Sequence, residues 1–188
     1  MNVDLQQHTR EPEIHLREAS AEDAQHIVRT WIECLGNAGY NAIPTEGNAL
    51  DAFRVRIKNP EYRSRLWVAT VGSLVVGWQG LADFGPTQII RAALSSTYIA
   101  PNWHRKGVGR RLLLRAMQYA DESGLHYVLG WIRRDNVAST KLVLSLGWTL
   151  VGGMPHSARL EHPVNYYAYA AGNACRDAGS NTWRDHHE

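Results

Sequence analysis

Apolar residues along this chain recur at two spacings, and the changes of spacing mark the elements. Over residues 13–18, Ile14 and Leu16 alternate with charged neighbours, which predicts a strand. Ser20-Ala21-Glu22-Asp23 is an approximate capping box with Asp in the acidic place. It opens a helix in which Ile27, Trp31 and Leu35 fall four apart, up to Gly36. Residues 37–44 have loop composition, and 45–58 predict a second helix that stops before Asn59-Pro60. Residues 65–71, 74–84 and 88–99 then read as three strands. Gly72-Ser73 and Gly85-Pro86 serve as turns, so an antiparallel meander is expected. A helix at 107–123, a strand at 125–132, a helix at 136–146 and strands near 148–153 and 164–170 follow. The order is βααβββαβαββ, an α/β chain with a mixed sheet flanked by helices. Residues 1–12 and 172–188 are polar or small and are expected to be flexible ends around one domain, 13–171.

The densest chemistry lies where a strand hands over to a helix, in Tyr98-Ile99-Ala100-Pro101-Asn102-Trp103-His104-Arg105-Lys106-Gly107-Val108-Gly109-Arg110-Arg111. Proline ends the strand because it cannot donate to the ladder. Leu112, Ala116 and Ala120, beside Leu113 and Met117, give the helix its apolar face. Between them stand two glycines and the cations Arg105, Lys106, Arg110 and Arg111. Free N–H groups at a helix N-terminus, its dipole and flanking cations together make a phosphate site. A nucleotide P-loop would need Gly-Lys-Ser/Thr, and a dinucleotide fingerprint a third glycine in the first helical turn; neither is present. The plain alternative is a helix that starts after glycines and carries solvated charge.

The strand, proline, basic Gly-x-Gly and helix closely resemble the acyl-CoA pyrophosphate loop of the GNAT N-acetyltransferase superfamily. That loop reads Arg/Gln-x-x-Gly-x-Gly/Ala and falls here on His104 to Gly109, with His104 departing from the usual first residue. Downstream, Trp131 to Trp148 resembles the family's strand, Asn-x-x-Ala/Ser helix and Leu-Gly-Phe segment. Asn136, Ser139 and Val143 there lie at i, i+3 and i+7 on one helix face. The resemblance covers roughly residues 13–170 and is greatest to the phosphinothricin-acetyltransferase-like branch, through Ser95 to Ile99 and Gly152-Gly153-Met154-Pro155. It implies acetyl-CoA as co-substrate. Tyr98 and Ile99 would line the pantetheine arm through main chain. His104, Arg105, Lys106, Gly107, Val108, Gly109 and Arg110 would form the pyrophosphate cradle. Asn136 would meet the arm or a nearby water, and Ser139 the phosphate side.

Composition narrows the partners. A 44% hydrophobic share in 188 residues supplies one core, and a net charge of +2 is too small to argue for nucleic acid. Cys34 and Cys175 are isolated thiols, which suits a reducing cytoplasm better than a disulfide framework. There is no long apolar run for a membrane and no leader pattern at the start. The nine histidines include no His-x-x-x-His pair, so no metal is expected. Trp78, Trp131 and Trp148 fall on predicted core strands and are expected to pack.

The proton-handling positions of the family are apolar here: Leu94 on the fourth strand, Trp131 on the fifth and Val143 in the last helix. Core packing explains Leu94 and Val143. Substitutes are Ser96, on the strand face of Leu94, Asp83, His156 and His162, with Glu33 and Glu46 in or near the first two helices. Arg54, Arg56 and Arg159 are the cations near the acceptor wall. The resulting expectation is acetyl transfer to a primary amine of a small molecule, amino-acid-like and apolar, with a homodimer left open. Two alternatives stand beside it: a degenerate domain that binds acyl-CoA without turnover, and an acetyltransferase for a protein N-terminus or aminoacyl-tRNA.

Overall fold

Ile14 and Leu16 begin the sheet, because burying their alternate side chains leaves His15 and Arg17 facing water. The computed structural model describes residues 12–38, 43–58, 65–84, 90–155 and 162–172. Within them run β1 (His15–Glu18), α1 (Ala24–Asn37), α2 (Glu46–Lys58), β2 (Arg65–Val71), β3 (Leu74–Asp83) and β4 (Ala92–Ile99). They continue as α3 (Val108–Glu122), β5 (Tyr127–Arg133), α4 (Val137–Ser145), β6 (Thr149–Met154) and β7 (Val164–Ala170). The expected order holds, with short 3-10 turns at Ala21–Asp23 and Pro101–Trp103. One seven-stranded sheet runs β1-β2-β3-β4-β5-β7-β6. Every neighbouring pair is antiparallel except β4 with β5.

Helices cover both faces, so the strands bury side chains on two sides. On one face α3 lays Val108, Leu112, Leu113, Ala116, Met117 and Ala120 against Trp67, Val76, Leu81, Val128 and Trp148. On the other, α1 and α2 bring Ala24, Ile27, Val28, Ala49 and Phe53 onto Leu66, Val68, Val75 and Trp78. Val143 is 6% exposed and belongs to the first cluster, so packing accounts for it. At the α1 entrance the Ser20 backbone N–H donates to Asp23 Oδ2 at 2.7 Å, and Arg17 grips both oxygens of that carboxylate at 2.6 and 2.8 Å.

Three expectations change. Strand β4 begins at Ala92 rather than Gln88: Arg91 O accepts from His126 N and Tyr127 N, and Ile90 is 50% exposed. Strand β5 begins at Tyr127 rather than Leu125, because Leu125 N–H closes the end of α3 on Ala120 O. Trp131 does not pack in the core; it is 47% exposed and leans on Tyr166, ring centroids 6.0 Å apart. Buried Val128 and Gly130 share the α3 face, and Trp148 reaches within 3.3 Å of where a Gly130 Cβ would stand, so period two turns Trp131 to the opposite face. The expectations for residues 1–11, 85–89 and 173–188, and for His156, Arg159 and Cys175, fall outside the described residues.

Candidate active site

Strands β4 and β5 pair only at Ala92–Tyr127, Ala93–Val128 and Leu94–Leu129. Beyond Leu94, β4 stays with β3 up to Ile99 while β5 stays with β7 up to Arg133, so the sheet opens between them. The β3–β4 register is uninterrupted. It is anchored by Phe84 N–H to Ala92 O at one end and Ala100 N–H to Val76 O at the other. Even-numbered β4 residues therefore spend their backbone groups on β3, and those of Thr97 and Ile99 face the opening. Ile99 O already accepts from Cys34 Sγ at 3.3 Å and contacts His104 Nε2 at 2.9 Å. Burial pushes the Cys34 thiol up to about 11, so it stays protonated at neutral pH.

The mouth of this opening is the start of α3. Its N-cap, Gly107, has φ +77°, and no side chain caps the helix, leaving the first-turn N–H groups to other acceptors. Arg105 is also left-handed, at φ 60°, the sole non-glycine residue so placed among the described residues. A left-handed residue in a loop of exposed cations is compatible with an anion-binding concavity. Lys106 Nζ rests 4.6 Å from the Trp103 ring centre, while Arg105, Arg110 and Arg111 stand exposed around the helix start. These residues suit a pyrophosphate in charge and donor supply. Asn136, expected near the same ligand, caps α4: its Oδ1 accepts from Ser139 N at 3.1 Å, which leaves its amide N–H groups for another partner.

Side chains of β4 divide between two faces. Ser95 and Thr97 hydrogen-bond buried Gln79 on the α3 face. Ser96 and Tyr98 face a cavity of roughly 240 Å³ whose other walls are Trp31, Ala52, Phe53, Arg56 and Trp78. The four rings form a closed circuit. Centroid distances are 5.7 Å for Trp31–Phe53, 5.3 Å for Phe53–Trp78, 4.9 Å for Trp78–Tyr98 and 6.5 Å for Trp31–Tyr98. The Arg56 guanidinium closes one side. Its Nε is buried without a hydrogen-bond partner, and burial lowers its affinity for the proton.

Other candidate residues go elsewhere. Asp83 has odd parity on β3, with Gln79 and Leu81, so it faces away from the cavity at the far end of the strand. His162 lies near Asp135, whose carboxyl is held below its usual range chiefly by Arg133 and slightly by His162. Glu46 pairs with Arg29 at 3.7 Å and Arg54 with Asp51 at 3.8 Å, both on the surface. Glu33 is exposed on α1. Of the proton-handling substitutes among the described residues, Ser96 alone lines the cavity, and His156 falls outside them. Phe53 and Trp31 were not foreseen as walls; their helical spacing reads equally as core, and only the tertiary fold brings them to β4.

The profile of the acetyltransferase (GNAT) family matches residues 19–148. An L-methionine sulfoximine/L-methionine sulfone acetyltransferase of Salmonella typhimurium is 33% identical over 89 residues, which are 47% of this chain and 52% of that protein. The match thus spans about half the length of that relative. A protein of the same description from Pseudomonas aeruginosa is 27% identical over 144 residues, 74% of this chain and 83% of that one. In fold, the chain is similar to the yncA protein of Salmonella typhimurium, solved with its cofactor acetyl-CoA. The TM-score is 0.72 and the identity 21%, over 84% of this chain and 94% of that one. With the family profile covering more than half of its length, the chain belongs to the acetyltransferase (GNAT) family.

Proposed function

We propose that this protein is an acetyl-CoA-dependent N-acetyltransferase that acetylates the primary amine of a small molecule with an apolar body. The observation that carries the reading is the double use of one strand. From Ser95 to Ile99, β4 offers main-chain donors to the opening on one edge and side chains to the aromatic cavity on one face. Bound acetyl-CoA would supply its acetyl group as a thioester. Arg105, Lys106 and Arg110, with the N–H groups after Gly107, would hold its pyrophosphate, while Asn136 would meet the arm or a nearby water and Ser139 the phosphate side.

The N–H groups of Thr97 and Ile99 are the donors aimed where negative charge builds on the carbonyl oxygen, and they are fixed by the β3 pairing before any ligand arrives. The ring-lined cavity favours the neutral form of an amine, the form with a lone pair for attack, because burial disfavours an ammonium ion. Leu94 and Val143 offer no proton, so Ser96 and water serve proton transfer, and positioning carries most of the acceleration. The free Cys34 thiol supports a reducing, cytoplasmic setting.

A second reading, binding of acyl-CoA without turnover, is favoured by the packed state of Val143 and the apolar Leu94. Thiol release from acetyl-CoA separates the two. Release that depends on an added amine supports transfer; tight binding with no amine-dependent release supports the alternative.

A further inference from the structure

We propose that Arg56 anchors the α-carboxylate of the acceptor, which makes the substrate an α-amino acid with an apolar or aromatic side chain. This rests on the acetyltransferase reading above and assigns the acceptor end of the same site. Arg17 is paired with Asp23, Arg29 with Glu46, Arg54 with Asp51 and Arg133 with Asp135, whereas Arg56 has no ion pair among the described residues. The loop cations Arg105, Lys106, Arg110 and Arg111 also have no ion pair among the described residues, but they stand exposed, whereas Arg56 is partly buried. It is drawn inward, its Nε sealed from solvent beside Trp78 and Phe53. A guanidinium drawn partly out of water with no counter-ion among the described residues is costly to keep, and an anionic group on the ligand would offset that cost.

The fold makes room for that guanidinium. Arg56 Nη2 lies 3.0 Å from where a Cβ on Gly80 would stand, so a bare residue on β3 sets how deep the arginine can sit. Gly80 pairs with Ser96 across the β3–β4 ladder, which places the guanidinium over the strand position beside the donor-bearing Thr97. An α-amino acid has its amine one carbon from its carboxylate. With the carboxylate on the planar fork of Arg56, the amine lies over Ser96 and the side chain enters the ring circuit of Trp31, Phe53, Trp78 and Tyr98. A polyamine or aminoglycoside would set a second positive charge against Arg56 in an apolar cavity, so both are poor acceptors.

The test pairs L-phenylalanine with phenethylamine and L-methionine with 3-(methylthio)propylamine, each with saturating acetyl-CoA. The full chain is compared with Arg56→Met, Arg56→Lys and Gly80→Ala. The wild type should prefer the amino acid in kcat/KM by about 10- to 100-fold, the span of a charge-assisted bond made or lost. Arg56→Met should erase the preference, because kcat/KM falls much further for each amino acid than for its simple amine. Arg56→Lys should keep part of it, and Gly80→Ala should reduce it with the arginine still present. A readout independent of turnover is thermal unfolding. L-phenylalanine should raise the melting temperature of the wild type and not that of Arg56→Met. Equal preference in wild type and Arg56→Met, or an equal thermal shift in both, would overturn the assignment. Acceptor-induced stabilisation without any acetylation would instead overturn the transferase reading and leave the anchor standing.

Discussion

The loop before α3 and the cavity under α1 and α2, the two proposed ligand sites, are made by opposite means. The loop is local and made of backbone: Gly107 at φ +77°, Arg105 at φ 60° and the uncapped N–H groups of α3 lie within a few residues of one another. The cavity is assembled from side chains on α1, α2, β3 and β4, and its polarity rests on Arg56 and Ser96. A backbone cradle tolerates variation in most side chains but not at its glycines. A side-chain cavity should respond to almost any truncation, and only on the acceptor side. The difference predicts which substitutions touch which substrate.

The largest separation should come from Gly109→Asp. A Cβ there meets Leu142 Cδ2 at 3.4 Å, a tight fit the leucine can relieve, and an acidic residue in the first turn favours the helix itself. The added carboxylate stands in the proposed pyrophosphate cradle, so CoA affinity should fall by roughly 100-fold or more on charge repulsion alone. Circular dichroism should show the fold intact, and titration calorimetry reads the affinity. Unchanged affinity in a folded variant would break the assignment of the loop.

On the other side, Trp31→Ala removes one wall of the ring circuit from a half-buried position. The KM for an apolar amine should rise about 10-fold, the scale of a lost aromatic contact, while CoA affinity stays constant. A matching loss of CoA affinity would mean that the two regions are not separate.

Gly107→Ala should be milder. Nothing lies within 4 Å of the new Cβ, so the cost is the left-handed backbone, about 1–2 kcal/mol in denaturant unfolding. Where Gly109→Asp strikes the ligand, this change strikes the loop's own conformation.

The smallest effect sits at the seam between the regions, where Cys34 meets Ile99 O. Its thiol is raised from 9.0 to about 11 by burial. In a Cys175→Ser background, alkylation by iodoacetamide should be slow at pH 8 and accelerate as pH climbs from 9 toward 11. Because the folded value lies above the unfolded one, the stability gained from keeping this thiol neutral is complete below pH 9 and fades as pH rises toward 11. Fast labelling at pH 8 would place Cys34 outside the packed seam.

The same contrast explains what could be read from sequence. Strands β2 and β7 were legible because their runs of apolar and aromatic residues are bounded by clear turn residues, and α3 because its apolar face repeats over four turns. The loop was legible because its chemistry is contiguous. The cavity was not, since positions 31, 53, 56, 78, 96 and 98 are brought together only by the tertiary fold. Trp131 shows the same limit. Its strand is a core strand, but which face is inward depends on Trp148 filling the place of a Gly130 side chain. Arg54 and Arg56 looked equivalent as neighbours on one helix; two positions of helical rotation send one to Asp51 on the surface and the other beneath Trp78.

The most direct measurement of the division of labour along β4 is a crystal structure with CoA and an acceptor amino acid bound together. The expected result has the pyrophosphate at Gly107 to Gly109, and the CoA sulfur between β4 and β5 beyond Leu94, beside the N–H groups of Thr97 and Ile99. The acceptor amine should lie over Ser96 on the cavity side. A CoA arm lying inside the ring-lined cavity, or an acceptor bound away from Ser96, would contradict it.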